Sequence, residues 1–526
     1  MPLCNGQDVF EATIEDLQYL FRSGRLTSRQ LVECYFARAD LIDGSARTIL
    51  ERNPDALAIA DEMDRERQQG KVRGHMHGIP VLTKDNIATK DKVDTTAGSL
   101  ILLGSIVPRD AHVVALLRRA GAILLGHSNL SEWADMRSDS YSEGFSERGG
   151  QVRNVYNLTQ NPGGSSSGSA HSISANLAAI AFGTETDGSV IAPSSRAGIV
   201  GFKPTVGLTS RAGVIPESTH QDTIGSFGRT FRDAVIGLET IAGADPRDNA
   251  TLGHDRPTGY TQFISNRKAL KGAKFGIPWA RVWESPSTAT QLPALLEAIK
   301  VLEAHGATVY NHTDYKYPTT VSPTGWDWDY GPANESEYTV IKVDFYNNLA
   351  TYLSELGNTT VRTLADLIKD DDVSLLEGGE PGTNVAFKDG QQSFVDSEAT
   401  GGIYNETYRL ALDFVQRNSR ADGIDYALTH LSDGTSIQLD GLLIPSDPSS
   451  AAQNIISQSG YPCVTMPVAI DPYGCPFGIS LVNTAFSEPS LVRFGSAIYD
   501  ALGHRRQPPR FFAFNATNVP INHAYR

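Results

Sequence analysis

Apolar positions near the start of the chain recur at helical spacing: Ile14, Leu17 and the Leu20-Phe21 pair share one face. Thr27-Ser28-Arg29-Gln30 then reads as a capping box that opens a second helix, whose stripe runs through Leu31, Tyr35, Arg38 and Leu41. Both helices are read as a wrap over the core, without a catalytic part. At Gly78-Ile79-Pro80 the period changes. The short run that follows, to Ile87, reads as a strand with Lys84 at its end, where composition alone points the ammonium at water. Ala111 to Leu125 reads as a helix, a glycine stop and a buried strand, which is an α/β rhythm.

Asn129 to Gly150 is polar and aromatic, with Trp133 and Tyr141, and reads as a wall or loop. Asn161 to Thr205 is crowded with glycine and serine, yet apolar runs (Ile173 to Ala181, Ile199 to Phe202) thread through it. A flexible linker would lack such runs, so this segment is expected to build a site from backbone. The chain stays turn-rich to Phe231, then a helix is expected over 232–242 and a polar excursion over 244–260. Strand, helix and strand follow at 274–278, 291–305 and 307–309. The region 311–435 carries Trp326, Trp328, Tyr330 and an acidic, glycine-rich stretch from Asp370 to Gly402; it reads as a variable insertion, either a pocket lid or a solvated loop bundle. Strands at 442–445, 464–468 and 477–481 and a helix over 488–502 restore the core pattern.

Composition narrows the function classes. A chain of 526 residues with 40% hydrophobic and 20% charged residues is globular, and its formal charge of -15 argues against a nucleic-acid partner. No apolar run reaches membrane-spanning length. The N-terminal stretch lacks the basic and apolar regions of a signal peptide, so a cytoplasmic protein is expected; secretion would require a leader already removed. Asn-X-Ser/Thr sequons at Asn157, Asn249, Asn311, Asn334, Asn358, Asn405 and Asn515 invite that second reading, but chance sequons in a cytosolic chain are preferred. Cys4, Cys34, Cys463 and Cys475 form no CxxC pair and no zinc spacing, and read as isolated buried residues, with a Cys463–Cys475 hairpin pairing as a minor alternative. Neither a metal nor another cofactor is expected.

Two serine sites stand out: Ser165-Ser166-Ser167 between glycines, and Ser189 in Thr186-Asp187-Gly188-Ser189. A serine hydroxyl needs a base to take its proton. His171 is the one histidine near either site, in an expected helix where it can simply face the surface. A G-x-S-x-G elbow with Ser166 as nucleophile, as in an α/β-hydrolase-like esterase, needs a buried strand just before it, and Leu158 to Pro162 supplies none. The other reading makes a lysine the base.

GIPVLTKDNI (78–87), NLSEWADMR (129–137), NPGGSSSGSA (161–170), GTETDGSV (183–190), GIVGFKPTVG (198–207), STHQDT (218–223) and GYPCVTMP (460–467) together resemble the amidase signature family, closest to its peptide-amidase-like branch. Ser165 and Ser189 lie 24 residues apart, as the family's bridging serine and nucleophile do. The resemblance implies Ser189 as nucleophile, Ser165 as a proton bridge held in a cis peptide, and Lys84 as base. It implies an oxyanion site from the backbone N–H groups of Thr186, Asp187, Gly188 and Ser189, with Ser166 bonded to the same turn. Thr184 and Thr186 are read as structural hydroxyls, and Lys203 as structural support. Trp133, Ala134 and Met136 fall where the family lines its acyl pocket, although such residues are more often plain core. One departure is Ile191, where many members carry arginine.

The implied fold is α/β, a large twisted mixed β-sheet flanked by α-helices on both faces in a single domain over 1–526, with its core at 8–245, 270–310 and 440–510. The implied activity is cofactor-free hydrolysis of a small-molecule amide or peptide amide to acid plus ammonia or amine through a seryl acyl-enzyme; a homodimer fits the reading. The rivals are a glutaminase-type subunit of a tRNA-dependent amidotransferase, which would need partner subunits, and a catalytically dead scaffold, which intact Lys84, Ser165 and Ser189 argue against.

Overall fold

The computed structural model describes residues 3–284, 290–318, 332–369, 378–446, 451–503 and 520–521. Its first two helices, Ile14–Arg22 and Ser28–Ala46, each open with a capping box, Thr13 accepting from Asp16 N and Thr27 from Gln30 N. Ile14, Leu17, Phe21, Leu31, Tyr35 and Arg38 are buried, as their spacing predicts. Leu41 is not: it is 52% exposed, because the 3.6-residue period carries the buried stripe from Arg38 and Ala39 to Ile42.

Cys4 and Cys34 are joined in a disulfide that ties the N-terminal segment to the second helix. The expectation of four isolated cysteines therefore holds only for Cys463 and Cys475, both buried and free. A spacing of 30 residues carries no pairing rule, so the bridge leaves no mark in the sequence. Cys463 lies opposite Val482 while Ile470 lies opposite Pro476, so Cys463 and Cys475 stand at opposite ends of their strand pair and cannot meet.

Eleven strands form one mixed sheet: β1 (Ile49–Arg52), β2 (Pro80–Lys84), β3 (Ile123–Ser128), β4 (Ile180–Glu185), β5 (Val200–Lys203), β6 (Thr223–Gly228), β7 (Lys274–Ile277), β8 (Thr308–Asn311), β9 (Gly441–Pro445), β10 (Cys463–Ile470) and β11 (Pro476–Val482). Their spatial order is β1-β3-β2-β4-β6-β5-β10-β11-β9-β7-β8. β2 runs parallel to β3 and β4, whereas β6 is antiparallel to both β4 and β5. The fully buried β6 replaces what the sequence reads as turns. Its Gly225 and Gly228 disguise it, and Gly225 is required there because a Cβ would lie 2.6 Å from Phe202 O on the neighbouring strand.

Two apolar clusters fill the core. One gathers Ile79, Val81, Ile123 and Phe182; the other gathers Ile191, Phe202, Phe275, Leu443 and Val464. Val190 belongs to the first cluster and Ile191 to the second, so the two clusters meet just after the Thr-Asp-Gly-Ser turn.

The middle region contains five described helices, Glu337–Ser354, Leu364–Lys369, Gln392–Ala399, Glu406–Ser419 and Asp425–Thr429, joined by turns, so the loop-bundle expectation is corrected. Ile341, Phe345, Leu349 and Leu353 join the first core cluster, and Phe345 stacks on Phe394 at 5.6 Å. Trp326, Trp328, Tyr330, the opening of the acidic stretch at 370–377, and Asn515 lie outside the described residues. Among the described residues no helix is long and apolar enough to cross a membrane.

Candidate active site

Lys84 ends β2, and the side chain is fully buried, against the composition-based expectation of a solvated ammonium. Its Nζ donates to Ser165 Oγ in the glycine-rich loop at 2.8 Å and to Thr184 Oγ1 on the neighbouring β4 at 2.9 Å. Ser165 Oγ in turn donates to Ser189 Oγ at 2.9 Å. The structure thus brings together the three residues the sequence singled out, in one continuous hydrogen-bonded chain. The Gly164–Ser165 peptide is cis, and the carbonyl of the next peptide, Ser165 O, accepts from Ser131 N at 3.0 Å.

Burial pulls the Lys84 ammonium down to about 8, while the carboxylates of Glu217, Asp135, Glu143 and Glu185 pull it the other way. A lysine near 8 is partly neutral at ordinary pH and can accept a proton, which a solvated lysine cannot. The lysine acts on its neighbours in return: burial raises the carboxyl of Asp135 to about 7, with Ser131 and Lys84 opposing the rise. Asn86 Nδ2 donates to Thr184 Oγ1 at 2.9 Å, so that hydroxyl accepts from both Lys84 and Asn86 and holds the lysine tip in place.

The turn before Ser189 is held from several sides. Thr186 Oγ1 donates to Asp222 Oδ1 at 2.6 Å, and Gln221 Nε2 donates to Thr186 O at 3.2 Å. Glu185 Oε2 accepts from Val190 N and Ile191 N, capping the helix Ile191–Ala197 that leads away from Ser189. Gly188 N donates to Ser457 Oγ at 3.2 Å, so this N–H already has a partner in the helix Ala451–Ser459. Gly188 has φ +74°, and a Cβ there would collide with the side-chain amide of Gln453. Asp187 is partly exposed beside this turn, and Ser189 is nearly buried.

Ser166 Oγ donates to Thr184 O at 3.0 Å, a carbonyl that cannot serve as a base. His171 is not on the surface: it is fully buried, its Nε2 is bonded to Pro162 O at 2.8 Å, and burial lowers its pKa to about 4. It is spent on structure and supplies no base to Ser166. Lys203 donates to Tyr461 O at 2.6 Å, which matches a supporting part, and Ile191 packs into the second core cluster. Trp133 and Met136 belong to the first core cluster, and the Trp133 ring meets Phe394 edge-on at 5.6 Å. Trp133, Ala134 and Asp135 all have positive φ, the kind of backbone outlier that collects around sites.

Residues missed from sequence form the outer support. Glu337 on the helix Glu337–Ser354 accepts from Gln221 Nε2 at 2.6 Å and from Gln458 Nε2 at 2.8 Å. Glu185 and Gln221 lie inside GTETDGSV and STHQDT, where the motifs themselves could have flagged them. Glu337 carries no such signal. A cavity of about 480 Å³ lies between the second helix and β1 around Arg47, Glu51 and Arg148, and it touches no residue of the lysine–serine chain. Hydrogen bonding, not cavity size, locates this site.

The Amidase family profile matches residues 30–365. A Schizosaccharomyces pombe protein whose name classes it as an amidase is 50% identical over 99% of this chain and 90% of its own. The solved peptide amidase of Stenotrophomonas maltophilia is 36% identical with a TM-score of 0.85, covering 95% of this chain and 99% of that one. A glutamyl-tRNA(Gln) amidotransferase subunit of Prochlorococcus marinus is similar at 28% identity over 95% of this chain and 99% of its own. Fold and similarities define the class, an amide hydrolase acting on a C–N bond. The chain belongs to the amidase family. The weaker similarity to the amidotransferase subunit does not favour the glutaminase alternative.

Proposed function

We propose that the chain hydrolyses carboxamides through a seryl acyl-enzyme, with Ser189 as nucleophile, Ser165 as proton bridge and Lys84 as base. The unbroken Ser189–Ser165–Lys84 hydrogen-bond chain carries this reading. As Ser189 Oγ bonds to the carbonyl carbon, its proton moves to Ser165 Oγ, and the Ser165 proton moves to neutral Lys84 Nζ. The C–N bond then breaks, and the same relay returns a proton to the departing nitrogen. Water clears the ester by the reverse path.

The oxyanion falls to the backbone N–H groups of the Thr186–Ser189 turn. Each such donor is worth ~3 kcal/mol of barrier. Gly188 N already donates to Ser457 Oγ, so the substrate oxygen has to share or displace that bond. Ser166 holds the end of β4 through its Oγ bond to Thr184 O, its N–H donates to Ser189 O at 3.4 Å, and it takes no proton.

The substrates we infer are C-terminal carboxamides of peptides and related small amides, on the strength of the similarity to a peptide amidase. One chain holds the whole relay, and this reading expects turnover without a partner subunit. The test measures ammonia release from a panel of peptide amides, aryl amides and glutamine, with fluorophosphonate labelling alongside. Ser189→Ala is expected to abolish both turnover and labelling, while Ser166→Ala keeps both at reduced rate. The reverse pattern would sink the assignment, and glutamine as the sole substrate would sink the substrate class.

A further inference from the structure

Exposure of asparagine in this chain follows sequence context. Asn129, within NLSEWADMR, adds an eighth sequon to the seven named above. Seven of the eight lie among the described residues, and in five of them, Asn249, Asn311, Asn334, Asn358 and Asn405, the asparagine is exposed. Thirteen described asparagines stand outside a sequon, and of these only Asn5 and Asn266 are exposed. Residue type alone would give both groups the same distribution.

The amide nitrogens point the same way. Asn405 uses Oδ1 to cap the helix Glu406–Ser419, accepting from Tyr408 N at 2.9 Å, and Asn311 uses Oδ1 to accept from His312 N at 3.0 Å. Neither bond occupies Nδ2, the atom a sugar would take. Asn358 Nδ2 donates to Gly104 O at 2.7 Å, a bond its second hydrogen can keep. The two remaining sequons are built differently. Asn129 is fully buried and its Nδ2 donates to both Arg47 O and Gly150 O. Asn157 is half-buried, its Nδ2 donates to Tyr473 O at 2.8 Å, and its Oδ1 accepts from both Thr159 N and Thr159 Oγ1.

A separate observation concerns redox compartment. Cys4 and Cys34 are bridged, and such bonds persist where the surroundings are oxidising. That is also the environment in which sequons are read.

We propose that Asn249, Asn311, Asn334, Asn358 and Asn405 are N-glycosylation sites and that the chain matures in an oxidising secretory compartment, against the cytoplasmic expectation. Each transfer replaces one Nδ2–H bond with a bond from Nδ2 to the sugar C1. The C1–O bond to a lipid-pyrophosphate donor breaks, and the proton leaves with the pyrophosphate. The Cys4 and Cys34 thiols give up two electrons and two protons to a disulfide-carrying oxidant of the same compartment.

The test uses protein purified without reductant from the cells that make it, since a foreign secretory leader would force the outcome. Enzymatic deglycosylation in ¹⁸O water, followed by peptide mass analysis, marks each released site as labelled aspartate. The expected result is label at the five exposed asparagines, none at Asn129 or Asn157, and a Cys4–Cys34 linked peptide before reduction. Replacing all five asparagines by glutamine should remove five glycans from the mass ladder while amidase activity persists. An unmodified polypeptide mass, label confined to Asn129 and Asn157, or alkylation of Cys4 and Cys34 without reduction overturns the proposal.

Discussion

The Gln221 side-chain amide donates to Glu337 Oε1 at 2.6 Å while also donating to Thr186 O at 3.2 Å. One amide therefore joins a helix of the middle region to the turn that presents Ser189. Burial raises the Glu337 carboxyl, with Gln458 and Gln221 opposing the rise, so its ionisation depends on those two donors.

Cutting this link should loosen the turn without emptying the substrate site. Gln221→Leu or Glu337→Leu is expected to lower kcat about tenfold, equivalent to ~1.4 kcal/mol, with KM within about twofold of wild type. Steady-state kinetics on one amide decides it. A change confined to KM would move Gln221 from turn support to substrate contact.

Gly188→Ala should be close to inactive yet folded. It forces a side chain onto a +74° φ and drives Cβ into Gln453, displacing the turn amides proposed to bind the oxyanion. The expected loss in kcat is about 100-fold. Adding Gln453→Ala opens the space and should recover part of it; no recovery would rule out the steric cause.

The pH profile should follow Lys84. As the proposed base Lys84 works only when neutral, and its pKa of about 8 leaves roughly one-tenth neutral at pH 7 and nine-tenths at pH 9. The kcat/KM should therefore rise about tenfold over that range and then level. Thr184→Val removes a hydroxyl that accepts from the ammonium, which favours the charged form, so the limb should shift to lower pH. A flat profile from pH 6 to 9 would exclude Lys84 as the base.

Acid should weaken the fold through His171. Burial holds it neutral down to about 4, against about 6.5 when unfolded, so between these values the unfolded chain binds the extra proton. Its contribution is intact above about pH 6.5 and is lost as pH falls toward about 4, by ~3 kcal/mol in total. Urea midpoints at pH 7 and pH 4.5 for wild type and His171→Gln should differ by less in the variant.

Lys84, Ser165 and Ser189, joined in one hydrogen-bond chain, lie in compact motifs, and the α/β pattern, the terminal helices and most strands are legible in the sequence because each rests on local periodicity. β6 is not, because its two glycines and central serine erase the alternation that marks a strand. The Cys4–Cys34 bridge and the Glu337 clamp are not legible either, since each pairs residues far apart in sequence and only folding selects the partner. Composition alone leaves Lys84 in solvent, and only the family resemblance brings it inside, because no local signal says that a strand-end lysine will be covered. Leu41 fails for a smaller reason, a drift of one position in helical phase.

The pairing of β2 with β4, Thr83 opposite Phe182, has a consequence for biosynthesis. A slip of one residue would turn Lys84 to the other face of the sheet and leave Ser189 with no proton acceptor. On the proposed mechanism a nascent chain therefore carries an inactive Ser189 until two strands separated by about a hundred residues have locked in register. On that mechanism it is register pairing, later than synthesis of the serine itself, that makes the hydrolase competent.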